Sequence, residues 1–173
     1  RARGHNAGRK HLEQAFFQLL AGKSRHEVDP DQLRGRLRES LEVREALERM
    51  WPVLSPADLL NDLYGSTGLL RLAGRRWFSD DELALLRRPR QAASADVVWT
   101  VPDVPLLDDL LELLGPRPRH RDTDVIRTYG HIVVDEAQDL SPMELRMIDR
   151  RSLNGSMTVV GDIAQATGAH AHD

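Results

Sequence analysis

His131-Ile132-Val133-Val134-Asp135-Glu136-Ala137-Gln138-Asp139 joins a run of β-branched residues to a burst of acid. Its first half suits a buried strand of a parallel sheet, where both faces are covered and the polar alternation of a half-exposed strand disappears. Met157-Thr158-Val159-Val160-Gly161-Asp162 repeats the pattern, a short apolar run ending in an acid. Between the two lies Ser141-Pro142-Met143-Glu144, which has a serine cap, a proline at the first helical position and a glutamate three residues after the serine. That is a capping box. Met143, Leu145, Met147 and Ile148 carry the helix toward Arg150-Arg151, and Asn154-Gly155 turns the chain into the second run. The spacing therefore predicts an α/β fold, with parallel strands near 131-136 and 157-162 joined by one helix.

In an open parallel sheet, ligands collect beyond the carboxyl ends of the strands. Asp135 falls at such an end. A carboxylate there can hold Mg²⁺ through water, because Mg²⁺ prefers oxygen ligands and gives up its waters reluctantly. Glu136 can orient or deprotonate the water that attacks a γ-phosphate. Phosphoryl transfer is catalysed mostly by positioning and charge stabilisation, so neighbouring carboxylates with separate tasks fit that chemistry. Gln138 and Asp139 extend the acidic turn. Gln165 follows the second run at the same edge, where a neutral amide can touch the γ-phosphate and report its presence. A lone Asp-Glu after a strand is ordinarily a loop acid. Strand, acidic run, capped helix, second strand and Gln165 in this order are far more specific.

Val133-Val134-Asp135-Glu136-Ala137-Gln138-Asp139 resembles the Walker B motif (motif II) of UvrD-like superfamily-one helicases, and Val160-Gly161-Asp162-Ile163-Ala164-Gln165 resembles their motif III. The resemblance implies part of a RecA-like P-loop NTPase domain with ATP and Mg²⁺ as cofactors. It implies Asp135 on the Mg²⁺, Glu136 as catalytic base, Gln138 and Gln165 among the nucleotide-binding residues, and Gln165 as the γ-phosphate sensor. Two departures stand out. Ala164 occupies the place of the usual Asp. Ala166-Thr167-Gly168-Ala169-His170 contains none of the aromatic residues on which single-stranded bases stack. Upstream, Trp51-Pro52 with Ser55-Pro56-Ala57-Asp58-Leu59-Leu60, and Trp99-Thr100 with Asp103-Val104-Pro105-Leu106-Leu107-Asp108, are similar to actinobacterial HelD-type proteins. Those are helicase-like ATPases that act on RNA polymerase and carry helical segments set into the first RecA-like domain. The partners implied are DNA, RNA polymerase, and the remainder of the motor.

The residues before the acidic stretch are predicted to be mostly helical over 1-115. Leu12, Ala15, Phe16, Leu19 and Leu20 recur at helical spacing from Arg9 to Leu20, and Ala21-Gly22 stops the run. Asp29, Pro30 and Gln32 open a helix whose stripe (Leu33, Leu37, Leu41, Leu47, Met50) predicts continuity through Met50. Ser55 and Ser79 open further capped helices, and Thr67 to Ala73 is predicted as another, closed by Gly74. Asp103 is preferred to Thr100 as the cap of the leucine-rich helix that ends at Gly115-Pro116, because Pro105 is comfortable only in a first turn. Trp51, Trp77 and Trp99 are expected to be packing anchors. Residues 116-130 hold Arg117, Arg119, His120, Arg121 and Arg127 and are expected to form a flexible basic loop; 131-173 is expected to be the ATPase portion.

Bulk properties narrow the class. A net charge of −3 supplies no global basic field for nucleic acid or membranes. The chain contains no cysteine, which excludes disulfides and thiolate metal sites. No run approaches the roughly 18 apolar residues of a membrane span, and Arg1-Ala2-Arg3-Gly4-His5 lacks the apolar core of a signal peptide. A cytoplasmic protein without a membrane partner is expected. His5, His11, His26 and His120 lack metal spacing, and His170 with His172 stands alone.

No Gly-x-x-x-x-Gly-Lys-Ser/Thr phosphate loop occurs in the chain. Gly22-Lys23-Ser24 follows a helix rather than a strand. The expectation is therefore a piece of a longer ATPase, with the phosphate-gripping residues and the arginine finger elsewhere, that couples hydrolysis to remodelling of DNA or RNA polymerase complexes. Two readings compete. One is a true DNA-translocating helicase of repair or recombination. The other is a helical interaction module with a degenerate ATPase remnant.

Overall fold

The computed structural model describes residues 4–24, 27–118 and 124–162. The chain divides into two compact units, Arg1–Val98 with Leu110–Asp124, and Trp99–Asp109 with Val125–Asp173. Among the described residues no helix is long and apolar enough to cross a membrane.

In the first unit, α1 spans His5–Lys23, α2 Pro30–Leu37, α3 Leu41–Met50, α4 Pro56–Gly65, α5 Thr67–Gly74 and α6 Asp80–Leu86. Helix α1 starts four residues earlier and ends three later than the leucine periodicity indicates. Trp51 explains the early start. Its ring stacks on His5 at 5.0 Å, its Nε1 donates to the His5 carbonyl at 2.9 Å, and Gly8 lies so close that a Cβ would stand 2.7 Å from the indole. The long helix expected over 30–50 is two helices. Ser40 accepts from the Val43 amide and caps α3, and the chain turns over 38–40. The leucine stripe keeps its spacing across the break, so periodicity alone does not reveal it. Ser55 and Ser79 form the expected capping boxes with Asp58 and Glu82. Phe17, Leu47, Leu60, Tyr64, Leu70, Leu83 and Leu114 form the core of this unit. Trp77 departs from expectation. It is 80% exposed and anchors nothing among the described residues, because the turn after α5 points it outward.

Helix α7, Val104–Leu114, contributes its first half to the second unit and its second half to the first. Asp103 is the residue directly before α7, and Thr100 opens the 3-10 turn ahead of it. Asp103 is 1% exposed and accepts from the Thr100 amide at 2.8 Å and the Thr100 hydroxyl at 2.7 Å, and a 3-10 turn over Val101–Asp103 leads into α7. Pro102 and Pro105 fit because early helical positions need no amide donor.

The second unit contains β1 (Ile132–Val134), α8 (Pro142–Asp149) and β2 (Met157–Val159). The strands are parallel, with Ile132 opposite Met157, Val133 opposite Thr158 and Val134 opposite Val159. The fold is thus α/β with a two-stranded parallel sheet. Helix α8 has the expected box, Ser141 with Glu144. The strands are shorter than predicted. The expectation of a buried strand holds for Val134, at 7% exposure, and fails for Val133, at 69%. With two strands, one face of the sheet has no cover among the described residues.

The compact units divide after Val98, Asp109 and Asp124 rather than at 115, where the helical segment was expected to end. The Trp99–Asp109 segment belongs with the strands, and the reason is ionic. Arg150 of the α8 C-terminus holds Asp108 through Nε at 2.9 Å and Nη2 at 2.6 Å, and Asp109 through Nη1 at 2.6 Å. Arg151 adds a second cation to Asp108 at 2.6 Å, and Arg146 reaches Asp109 at 3.2 Å.

Candidate active site

The carboxyl ends of β1 and β2 carry the site. Beyond the regular pairing, the Val160 amide donates to the Val134 carbonyl at 2.8 Å, and the Ala137 amide donates to the Val160 carbonyl at 3.0 Å. These bonds carry the two strand ends side by side into their loops. Asp135 and Glu136 therefore leave β1 next to Gly161 and Asp162, which leave β2.

Glu136 has φ +50° and ψ +41°, the left-handed conformation, and no other non-glycine residue among those described has positive φ. This geometry costs a side-chain-bearing residue about 1 kcal/mol or more. The surroundings hold it. The Glu136 amide donates to Asp135 Oδ1 at 2.9 Å, its carbonyl accepts from the Asp139 amide at 3.0 Å, and a 3-10 turn over Ala137–Asp139 follows. Glycine takes up positive φ without that cost. Glu136→Gly is accordingly expected to unfold at a urea midpoint equal to or above that of the parent chain, a gain of up to about 1 kcal/mol. A clear loss of stability would mean that the Glu136 side chain, rather than the turn, holds the loop.

Gln138 ties the two strand ends together. Its Nε2 donates to Glu136 Oε2 at 2.6 Å, and its Oε1 accepts from the Asp162 amide at 2.9 Å. Both ends of its amide are thus engaged within the chain. Gly161 makes room for this bridge: a Cβ there would lie 2.5 Å from Gln138 Oε1 and 3.1 Å from the Ala137 amide nitrogen. The signal for Gly161 is present in the sequence as a glycine between a β-branched run and an acid.

Asp135 and Glu136 are both exposed. Asp135 Oδ2 and Glu136 Oε1 make no hydrogen bond among the described residues, which leaves one oxygen of each carboxylate open. Among the described residues no group of three or more His, Asp or Glu could cage a metal. The donor set is one that Mg²⁺ accepts when it keeps waters and takes its remaining ligands from phosphate oxygens. Gln165, Ala164 and the pair His170 and His172 lie outside the described residues.

Several other arginines are engaged within the first unit. Arg117 is bidentate to Asp124, at 2.9 and 3.1 Å. Arg90 pairs with Asp62 at 2.6 Å, and Arg88 lies over the Tyr64 ring at 4.6 Å. Arg119 and Arg121 lie outside the described residues.

No protein-family model matches the chain, and no curated protein matches it.

Proposed function

We propose that this chain carries the metal- and water-binding half of an ATP-hydrolysing site in a RecA-like motor of the UvrD-like, HelD-type class. The observation that carries the reading is the Gln138 bridge. It sets the Glu136 carboxylate in register with the end of the second parallel strand, while Asp135 keeps an open oxygen beside it. Asp135 would hold Mg²⁺ through water, and the ion would neutralise charge on the phosphates when bound. Glu136 would orient the attacking water and accept its proton. Gln138 engages only one oxygen of that carboxylate and leaves the other for the task. Gln165 is assigned to sensing the γ-phosphate from its motif alone. The exposed Val133, Val159 and Val160 supply apolar surface for the remainder of the motor. DNA or RNA polymerase is the proposed partner, with RNA polymerase favoured by the Trp51 and Trp99 segments that resemble the HelD type.

The test is Glu136→Gln in a polypeptide that joins this chain to a Gly-Lys-Ser/Thr phosphate loop. ATP turnover is expected to fall about 100-fold or more, with ATP affinity changed less than about threefold. Unchanged turnover would overturn the assignment. Residues 1–173 by themselves are expected to show no turnover above that of the same variant, and robust Glu136-dependent hydrolysis by them would refute the reading as half a site.

A further inference from the structure

A cavity of about 610 Å³ opens among α1, α2 and α3 of the first unit, remote in sequence from the acidic stretch. That volume falls within the range of small-molecule sites. Val43 and Val53, both half-buried, form its apolar floor, and the core residues Phe17 and Leu47 reach it with little exposed surface. Its rim is dominated by arginine. We propose that this cavity binds an organic phosphate, the phosphate held by Arg9, Arg38 and Arg44 and the organic body resting on Val43 and Val53.

The charge pattern decides the sign of the ligand. Arg9 pairs with Glu13 and Glu48, and Arg34 pairs with Glu13, so these four groups cancel. Arg117 is taken by Asp124. Arg38 and Arg44 remain against Glu39, and neither guanidinium has a side-chain or carbonyl partner among the described residues. The surplus is cationic. Arg9 supplies the fixed point. Its side chain is 11% exposed, its Nε and Nη1 are held by Glu13, Glu48 and the Trp51 carbonyl, and its Nη2 makes no hydrogen bond among the described residues. A guanidinium locked on two nitrogens and open on the third is pre-organised for an anion.

Arg9 on α1, Arg38 at the end of α2 and Arg44 on α3 line the same cavity, and a phosphate ester offers three such donors its three terminal oxygens. A carboxylate offers two. Arginine forks also suit phosphate geometry better than a point charge would. The apolar floor is what distinguishes an organic phosphate from the free ion, since inorganic phosphate gains nothing from Val43 or Val53. The proposal does not depend on the ATP-site reading.

Calorimetry on the 173-residue chain tests it with phenyl phosphate, benzoate and inorganic phosphate as probes. Phenyl phosphate is expected to bind saturably with Kd of about 1 mM or tighter, and several-fold more tightly than either comparator. Arg38→Ala with Arg44→Ala is expected to weaken it about tenfold or more. Removing two exposed charges elsewhere, Arg75→Ala with Arg76→Ala, is expected to change it less than about twofold. Val43→Phe, which fills the floor, is expected to erase the advantage over inorganic phosphate, with circular dichroism confirming that each variant is folded. No saturable binding up to about 10 mM, an equal loss in the Arg75/Arg76 control, or benzoate binding as tightly as phenyl phosphate would each overturn the site. Adenosine monophosphate and a 5′-phosphorylated trinucleotide then separate the sources. Equal affinity assigns a free organic phosphate and a tighter trinucleotide assigns a strand end, and both uphold phosphate-ester recognition.

Discussion

Arg150→Met is expected to destabilise the strand-bearing unit by about 3 kcal/mol. The side chains involved are largely sequestered: Arg150 is 10% exposed, Asp108 5% and Asp109 19%. Removing one partner of a buried ion pair typically costs about 3–5 kcal/mol, because the other charge stays buried. The low end applies here, since Arg151 still reaches Asp108 and Arg146 still reaches Asp109. Urea unfolding should show a lower midpoint with an unchanged slope. The double replacement Asp108→Leu with Arg150→Leu should recover much of the loss, because both desolvated charges disappear together. A double variant as unstable as Arg150→Met would show that the unpaired charge left on Asp108 does not carry the effect.

The same network makes stability depend on acid. Burial opposes ionisation of Asp108, but hydrogen bonds from Arg151 and Arg150 outweigh it and hold the carboxyl below its ordinary pKa. The unfolded chain therefore takes up a proton at Asp108 before the folded chain does. The stabilisation is fully present above the ordinary carboxylate range, about pH 4, and drains away as pH falls through the lowered folded value. In Arg150→Met that acid limb should be shallower.

Asn6→Ala is expected to cost the helical unit about 3 kcal/mol, within a range of roughly 2–5. Asn6 is 1% exposed. Its Nδ2 donates to the Leu54 carbonyl at 2.9 Å and the Gly115 carbonyl at 2.8 Å, and its Oδ1 accepts from the Leu54 amide at 2.9 Å. Alanine leaves all three backbone groups without this partner and opens a void beside them. A single hydrogen bond nets only about 1 kcal/mol, whereas a buried group left unmade costs about 1–3 kcal/mol; the second term decides the size. Amide exchange at Leu54 should accelerate with the loss of stability. A loss below about 1 kcal/mol would show that water replaces the side chain there. Asn6→Asp should be no better, because two donors facing carbonyls become acceptors.

Serine boxes at 55, 79 and 141 were legible because each is complete within four residues. So were the two strands and the helix between them, since composition changes sharply at Ile132. The break over 38–40 was hidden by a leucine stripe that runs through it, although Ser40 could have flagged it. Thr100 and Asp103 were both visible as polar caps; only the structure shows a 3-10 turn between them, with Thr100 ahead of it and Asp103 directly before α7. The exposure of Trp77 and Val133 was not legible, because residue type gives a preference for burial and neighbours decide whether cover exists. At the acidic stretch, Asp135 and Glu136 could be picked out as the strand's terminal acids. The bridge through Gln138 could not, since it joins residues 24 apart in sequence.

By itself, the order of residues determined the local events: where helices start, where two apolar runs extend, and that each ends in acid. Those outcomes depend on backbone groups only a few residues away, which a side chain reaches in any compact state. Tertiary structure alone decided that Arg150 meets Asp108 across 42 positions, that Asn6 closes onto Gly115 across 109, and that Glu136 is held in a left-handed turn beside the end of β2. Each of those requires the chain to fold back on itself. Once the two strands lie parallel, Gly161 leaves space for one amide, and Gln138 fills it.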